Sequence, residues 1–305
     1  MVVLVGLLGL GGSEAALRAA KRRNLLPGAT PAPSTYDPEI GWVLVGPHQQ
    51  SHVSSDFDVL VRLDRNGRRV PAKTASPLDL QGTIVFVGDS TTFGWGVEAA
   101  AAFPEIVGAA LRHRVVNLGV PGYGVDQSVT LLERQGLAEN PSWVVLMLAG
   151  NDLIETSAGV SYGRTKIQSR LVAGALEVSA AGSRAVGWLE YSALWTALRA
   201  RWRFGERPAS REQQLALVGA WVDRARGACQ ASHSNLLVVD WDVISDEYAE
   251  SWTAQGLAVV RVGPLLRDLQ AAGVRPIFAH DPHWVGKTHE VVAREIVNVL
   301  RRPPP

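Results

Sequence analysis

Ser90 stands in Val87-Gly88-Asp89-Ser90-Thr91-Thr92-Phe93-Gly94, where an apolar run ends in glycine and a hydroxyl residue follows at once. A serine at the carboxyl edge of a sheet, beside a helix N-terminus, can act as a nucleophile. The unpaired N–H groups there can stabilise a developing oxyanion. The same residues also fit a plain helix cap by Asp89 or Ser90. The loop matches neither a Walker sequence nor a Gly-x-Gly-x-x-Gly turn, so nucleotide binding is the weaker reading.

Three further segments carry suitable groups. Asn117-Leu118-Gly119-Val120-Pro121-Gly122-Tyr123-Gly124 forces a tight loop in which Gly122 either presents its N–H to an oxyanion or only permits the turn. Ala149-Gly150-Asn151-Asp152 offers the Asn151 amide as a second donor, or an Asx turn or helix cap. His280-Asp281-Pro282-His283-Trp284 supplies an imidazole base, His283, and a carboxylate, Asp281, to hold its tautomer. His280, His283 and His289 invite a metal reading, but their spacing fits no standard zinc helix motif. His280 and His289 read as structural. So does Cys229, a small residue in an amphipathic stretch, and a lone cysteine excludes an intramolecular disulfide framework.

The elements that would position these groups alternate. Apolar runs lie at 83–87, 115–118, 143–148, 236–239 and 258–262, and four of the five are nearly continuous, as expected of parallel strands buried on both faces. Helical patterns lie between them at 101–112, 126–139 and 211–230, and a last one covers 288–300. The alternation predicts an α/β fold, a doubly wound parallel sheet with helices on both faces. Ligands of such sheets bind beyond the carboxyl ends of the strands, and each motif above follows a strand or lies in the C-terminal segment.

Residues 82–305 read as one catalytic domain, preceded by an apolar segment with a proline-rich linker at 1–36 and a lead-in at 37–81. The lead-in shows one strand-like stretch, 57–63, and a turn at Asn66-Gly67. An insertion around 155–210 places Trp188, Tyr191, Trp195, Leu198 and Trp202 on one helical face, which could dock on the core, wall the site or touch a membrane interface. Val2 to Gly12 is apolar but shorter than the roughly 20 residues a spanning helix needs. The preferred reading is a truncated membrane anchor, which places the protein at the cell envelope, membrane-anchored or periplasmic. The alternative is a short helix packed on the domain. Arg18, Lys21, Arg22 and Arg23 follow the run, and for a spanning segment they would favour a cytoplasmic domain. A net charge of +1 gives no electrostatic case for nucleic acid. Oligomeric state is not legible.

Taken together, Ser90, Gly122, Asn151, Asp281 and His283 resemble the SGNH (GDSL) serine ester hydrolases over roughly residues 82–300. The resemblance implies a three-layer α/β/α sandwich with strand order 2-1-3-4-5. It implies Ser90 as nucleophile, His283 as base and Asp281 as its orienting group, with Gly122 and Asn151 in the oxyanion hole and no metal or organic cofactor. The implied substrate is a small-molecule or glycan ester, acetyl or short-chain. Alternatives on the same fold are an O-acetyltransferase of cell-envelope polysaccharide and a non-catalytic glycan-binding protein. The Asp-x-His-Trp spelling at 281–284 is similar to a subset acting on envelope polysaccharide acetyl groups. Asp37-Pro38-Glu39-Ile40-Gly41-Trp42 and Arg65-Asn66-Gly67-Arg68-Arg69 resemble the lead-in of bacterial, often membrane-anchored members. The usual pattern has Asp three residues before His, where this chain has His280; Val285 and Thr288 replace the usual Asn and Gly.

Overall fold

A computed structural model describes residues 12, 13, 15, 16, 32–72, 80–162, 164–182, 194 and 209–302. Within them, four short strands come first: β1 Ser34–Asp37, β2 Gly41–Leu44, β3 His48–Val53 and β4 Asp58–Leu63, paired as two antiparallel hairpins. The central sheet then begins with β5 Thr83–Gly88, followed by helices α1 Ser90–Phe93 and α2 Phe103–Leu111, β6 Arg114–Gly119, α3 Val125–Leu131 and β7 Trp143–Leu148. Helix α4 Asp152–Glu155 leads into two more hairpins, β8 Val160–Ser161 with β9 Arg164–Thr165, and β10 Gln168–Val172 with β11 Ala175–Ser179. Helix α5 Arg211–Ala231, β12 Asn235–Asp240, α6 Asp246–Ala254, β13 Ala258–Arg261, α7 Val262–Ala271 and α8 Gly286–Leu300 complete the chain.

The five long-range strands form one parallel sheet in the order β13-β12-β7-β5-β6, which is the doubly wound 2-1-3-4-5 arrangement read from the other edge. Their apolar runs are continuous because both faces are covered. Along β7, Val144, Leu146 and Leu148 point to one core and Trp143, Val145 and Met147 to the other. The first core is closed by Val125 and Val129 of α3 and by Leu217, Trp221 and Val222 of α5. The second is closed by Phe103 and Val107 of α2 and by Val292, Ala293 and Ile296 of α8. Each fully buried aliphatic side chain contributes on the order of 2 kcal/mol. The sheet is therefore a rigid base, and its carboxyl edge is the natural place for a precise site.

Three details depart from the sequence reading. The lead-in holds three strands, β2 to β4, and the last residue of β1, rather than one strand, and the expected linker overlaps β1. The polar sequence of β3 hides its strand, since only His52 of that segment is buried. The helix expected over 126–139 ends at Leu131 and continues as a π turn, Leu132–Gly136, and a 3₁₀ turn, Leu137–Glu139. The aromatic face of Trp188, Tyr191, Trp195, Leu198 and Trp202 lies outside the described residues, as does nearly all of the N-terminal apolar segment. Among the described residues no helix is long and apolar enough to cross a membrane.

Candidate active site

Strand β5 delivers Ser90 to the sheet edge. Asp89 caps α1, its Oδ1 accepting the Thr91 N–H at 2.8 Å. As the first residue of α1, Ser90 has an N–H outside the intrahelical ladder. The helix stops after one turn at Gly94, and the chain runs into Trp95 and Gly96. Buried Arg69 holds this exit, with its guanidinium on the carbonyls of Phe93, Gly94 and Val97 at 3.5, 3.4 and 2.9 Å. Burial raises the Asp89 carboxyl above its ordinary value, opposed by the Thr91 N–H, the His283 charge and the Asn151 amide.

The C-terminal loop comes back to the same place. It is pinned by the Phe278 N–H on the His283 carbonyl at 3.0 Å, the Val285 N–H on the Pro276 carbonyl at 3.2 Å, and Trp284, which is fully buried in the second core. With Trp284 turned inward, its neighbour His283 faces the sheet edge. His283 Nε2 lies 2.7 Å from Ser90 Oγ, and its Nδ1 lies 2.5 Å from Asp281 Oδ1. The His283 N–H also donates to Asp281 Oδ1 at 3.0 Å. The two-residue spacing thus lets one carboxylate oxygen hold both the ring and the backbone of the histidine. Burial alone would raise the Asp281 carboxyl, but its bonds and attraction to His283, with a contribution from Trp95, bring it below the ordinary value.

Trp95 completes this arrangement. Its indole N–H donates to Asp281 Oδ2 at 3.1 Å, and its ring stacks on His283 with centroids 5.1 Å apart and planes 25° apart. The lead-in hairpin supports it from behind. His52 meets Trp95 edge-on at 4.5 Å, and Phe57 packs on Phe278 at 5.2 Å. Gly96 passes between them at φ 76°, where a Cβ would come within 2.6 Å of Phe278 and 2.9 Å of Phe57. Asp56 accepts both the backbone N–H of His280, at 2.8 Å, and its ring Nδ1–H, at 3.0 Å. His280 is thereby turned out of the relay. His289 sits beneath, its Nδ1 accepting the Phe103 N–H at 3.3 Å.

The loops after β6 and β7 bring Gly122 and Asn151 to this edge. Gly122 has φ 82°, and a Cβ there would meet the Tyr162 ring at 2.8 Å. Asp152 Oδ2 accepts the Ala149 N–H at 2.7 Å, which closes the turn that carries Asn151. The Asn151 amide Nδ2 donates to Glu155 Oε2 at 3.3 Å, one turn further along α4. Buried Lys166, from the hairpin beyond β9, reaches both loops: Nζ lies 2.6 Å from Asp126 Oδ2 and 2.6 Å from the Glu155 carbonyl. Burial pushes the Glu155 carboxyl up to about 7, opposed by hydrogen bonds from Tyr162 and Asn151.

The structure therefore brings Ser90, His283 and Asp281 into one hydrogen-bonded chain and sets Gly122 and Asn151 on the adjoining loops of the same sheet edge. A hydroxyl bonded to an imidazole that is itself bonded to a carboxylate can attack a carbonyl carbon. Trp95, His52, Glu155, Tyr162 and Lys166 escaped the sequence reading. Gly94-Trp95-Gly96, an aromatic between two glycines just after the nucleophile segment, was the one signal that pointed to any of them. Among the described residues no group of three or more metal-ligating side chains is placed to hold an ion. Cys229 is buried in the first core, its thiol pushed up to about 12 by burial.

Residues 86–259 match the GDSL-like lipase/acylhydrolase family. No curated protein matches the chain. Similar solved structures include a putative lipolytic protein of the G-D-S-L family from Desulfitobacterium hafniense, 13% identical, covering 72% of this chain and 99% of that one at a TM-score of 0.46. Another is LAE5, an alpha/beta hydrolase enzyme from the metagenome of Lake Arreo, 16% identical, covering 72% and 95% at 0.46. A third is an acetyl-xylooligosaccharide esterase, Axe2, from Geobacillus, 14% identical, covering 74% and 97% at 0.44.

Proposed function

The chain belongs to the GDSL-like lipase/acylhydrolase family and is an ester-bond hydrolase; from that premise we propose that it cleaves carboxylic esters through an acyl-enzyme on Ser90. The observation that carries this reading is the unbroken chain from Ser90 Oγ to His283 Nε2 at 2.7 Å and from His283 Nδ1 to Asp281 Oδ1 at 2.5 Å.

His283 Nε2 takes the Ser90 proton as Oγ bonds to the ester carbonyl carbon. The carbonyl oxygen becomes an oxyanion, received by the N–H groups of Ser90 and Gly122 and by the Asn151 amide. When the tetrahedral species collapses, the ester C–O bond breaks and the alkoxide leaves with the proton from His283. Water then repeats the sequence on the acyl-enzyme. His283 takes a proton from it, the acid departs, and Ser90 regains its hydrogen. Asp281 keeps the Nδ1–H tautomer in place, so Nε2 is free to act as the base.

A short acyl group, such as acetyl, on a small molecule or a carbohydrate is the proposed substrate class. The Tyr162 ring packs close against the Gly122 loop. Labelling by a fluorophosphonate probe tests the nucleophile. Wild type is expected to label and Ser90→Ala to stay unlabelled; equal labelling of a folded Ser90→Ala protein would overturn the assignment. A series of p-nitrophenyl esters from acetyl to decanoyl, with and without a glycan acceptor, then tests the acyl length and separates hydrolysis from transfer. The expected result is a maximum at two to four carbons and no acceptor dependence, on the order of tenfold above the long esters.

A further inference from the structure

Glu155 plays no part in the proton relay, and its position calls for an explanation. It is 9% exposed, and the nearby carboxylates Asp89, Asp126 and Asp152 add to an acidic surrounding. Burying a carboxylate in such a place is unfavourable by several kcal/mol unless its hydrogen bonds are satisfied. Two bonds do this: one from Asn151 Nδ2 at 3.3 Å and one from the Tyr162 hydroxyl. Lys166, a cation that acts on this group, spends its charge on Asp126 and on the Glu155 backbone carbonyl.

Tyr162 carries a backbone cost of its own. It has φ 50° at the tip of the β8–β9 hairpin, a left-handed conformation that is unfavourable by about 1 kcal/mol for a residue with a side chain. It is 57% exposed, yet its ring is set against Gly122 while its hydroxyl is bonded to Glu155. Both unfavourable features meet at the loops that carry Gly122 and Asn151.

We propose that Glu155 is a positioning residue of the oxyanion hole, fixing the Asn151 amide, and that Tyr162 locks Glu155 and the Gly122 loop in one register. The proposal rests on the reading of Ser90 as nucleophile and Asn151 as an oxyanion donor. The physical argument is rotational. The terminal torsion of asparagine is broad, so a free amide has no defined N–H direction. An amide has two hydrogens on nitrogen; Glu155 accepts from it at 3.3 Å, and with the pull of Asp89 on the same amide this fixes the direction in which its N–H groups point. A donor aimed before the reaction stabilises the transition state without reorganisation.

The test is a double-mutant cycle on kcat with p-nitrophenyl acetate. Asn151→Ala is expected to lower kcat by about 100- to 1000-fold, and Glu155→Ala by about 10- to 100-fold with little change in KM. Glu155→Ala on top of Asn151→Ala is expected to lower kcat no further, because Glu155 acts through an amide that is gone. Glu155→Gln keeps an acceptor oxygen and is expected to retain most activity. Affinity for a boronic acid, which forms a tetrahedral adduct on the serine, should fall with kcat across the series rather than with KM. If Glu155→Ala does not fold, Tyr162→Phe takes its place in the same cycle, with the same non-additivity expected. Multiplicative losses, or a Glu155→Gln variant as impaired as Glu155→Ala, would overturn the proposal. Activity surviving in Ser90→Ala would sink the underlying reading instead, and a harmless Asn151→Ala would sink only the donor assignment.

Discussion

Trp95 touches Asp281 and His283 at once, donating its indole N–H to the carboxylate at 3.1 Å and stacking its ring on the imidazole at 5.1 Å. One side chain therefore fixes the two groups that must stay coplanar for proton transfer. The two contacts can be separated by substitution. Trp95→Phe keeps a ring and removes the donor, and a hydrogen bond to a charged group is worth about 1.5–3 kcal/mol. The expected loss in kcat/KM is about 10- to 100-fold for Trp95→Phe, and larger for Trp95→Ala. Steady-state kinetics check both. The order should hold for any ester, since Trp95 acts on the base and not on the substrate.

Asp281 has the Nδ1 side of His283 to itself. Asp281→Asn leaves a group of the same size that can donate where an acceptor is needed, and so favours the wrong tautomer. The expected loss in kcat is about 1000- to 10,000-fold. Asp56→Asn, which alters the contacts to His280 and to the Ala279 backbone, should leave kcat within about twofold. Comparable losses in the two variants would mean that His280, rather than His283, takes part in the reaction.

Lys166 and Asp126 are both fully buried and lie 2.6 Å apart. Lys166→Met leaves the Asp126 carboxylate buried without its cation, and breaking such a pair is expected to destabilise the fold by about 3–5 kcal/mol. Asp126→Leu in the same chain should recover part of that loss, because the uncompensated charge is removed. Urea unfolding of the two variants and the parent checks the order. A Lys166→Met protein as stable as the parent would show that the pair does not tie the two loops.

Two histidines set an acid limit on the fold. Burial pushes His289 down to about 3 and His52 to about 4; on His52 the attraction of Asp281 opposes this, and nearby positive charge lowers both. Both are neutral in the folded protein and bind protons more readily when unfolded, so between pH 6.5 and 4 the unfolded chain holds more protons. Their contribution is complete above pH 6.5 and is lost as pH falls through that window. Glu105 and Glu155, pushed up to about 7 by burial, act in the opposite sense between pH 4.5 and 7. The buried carboxyls of Asp89, Asp126, Asp152 and Asp240 are raised as well and act in the same sense as the glutamates, so net stability should hold from pH 7 to about 4 and fall below that, as seen by thermal unfolding. Glu105→Gln should remove part of the opposing slope and make the loss begin at higher pH. The His289 and His52 ring resonances should not shift between pH 8 and 5.

The sheet was legible in the sequence because burial on both faces writes itself as unbroken apolar runs. Val144-Val145-Leu146-Met147-Leu148 admits few other readings. Ser90, Gly122, Asn151, Asp281 and His283 were legible because glycine, asparagine and a histidine–aspartate pair at strand ends leave local traces. The supporting groups were not. Glu155 and Lys166 are ordinary charged residues in the sequence, and only the fold reveals that both are buried and that they meet where α4 ends. The β3 strand hid for the opposite reason, since an exposed polar hairpin carries no apolar period. Trp95 was a visible aromatic, but nothing local tells that it lies against a histidine 188 positions further along the chain.

The lead-in hairpin has a consequence for modularity. The family match spans residues 86–259 and so includes neither Asp281 and His283 nor the β3–β4 hairpin that supports Trp95. A chain begun at Gly82 would retain the whole sheet and every group of the relay. It would lose His52 behind Trp95, Phe57 against Phe278, Asp56 on His280 and Arg69 at the exit of the Ser90 turn. Such a trimmed protein should fold and react sluggishly. The transferable unit, the piece that could be grafted or recombined with its chemistry intact, begins near Ser34 and is larger than the piece by which the family is recognised.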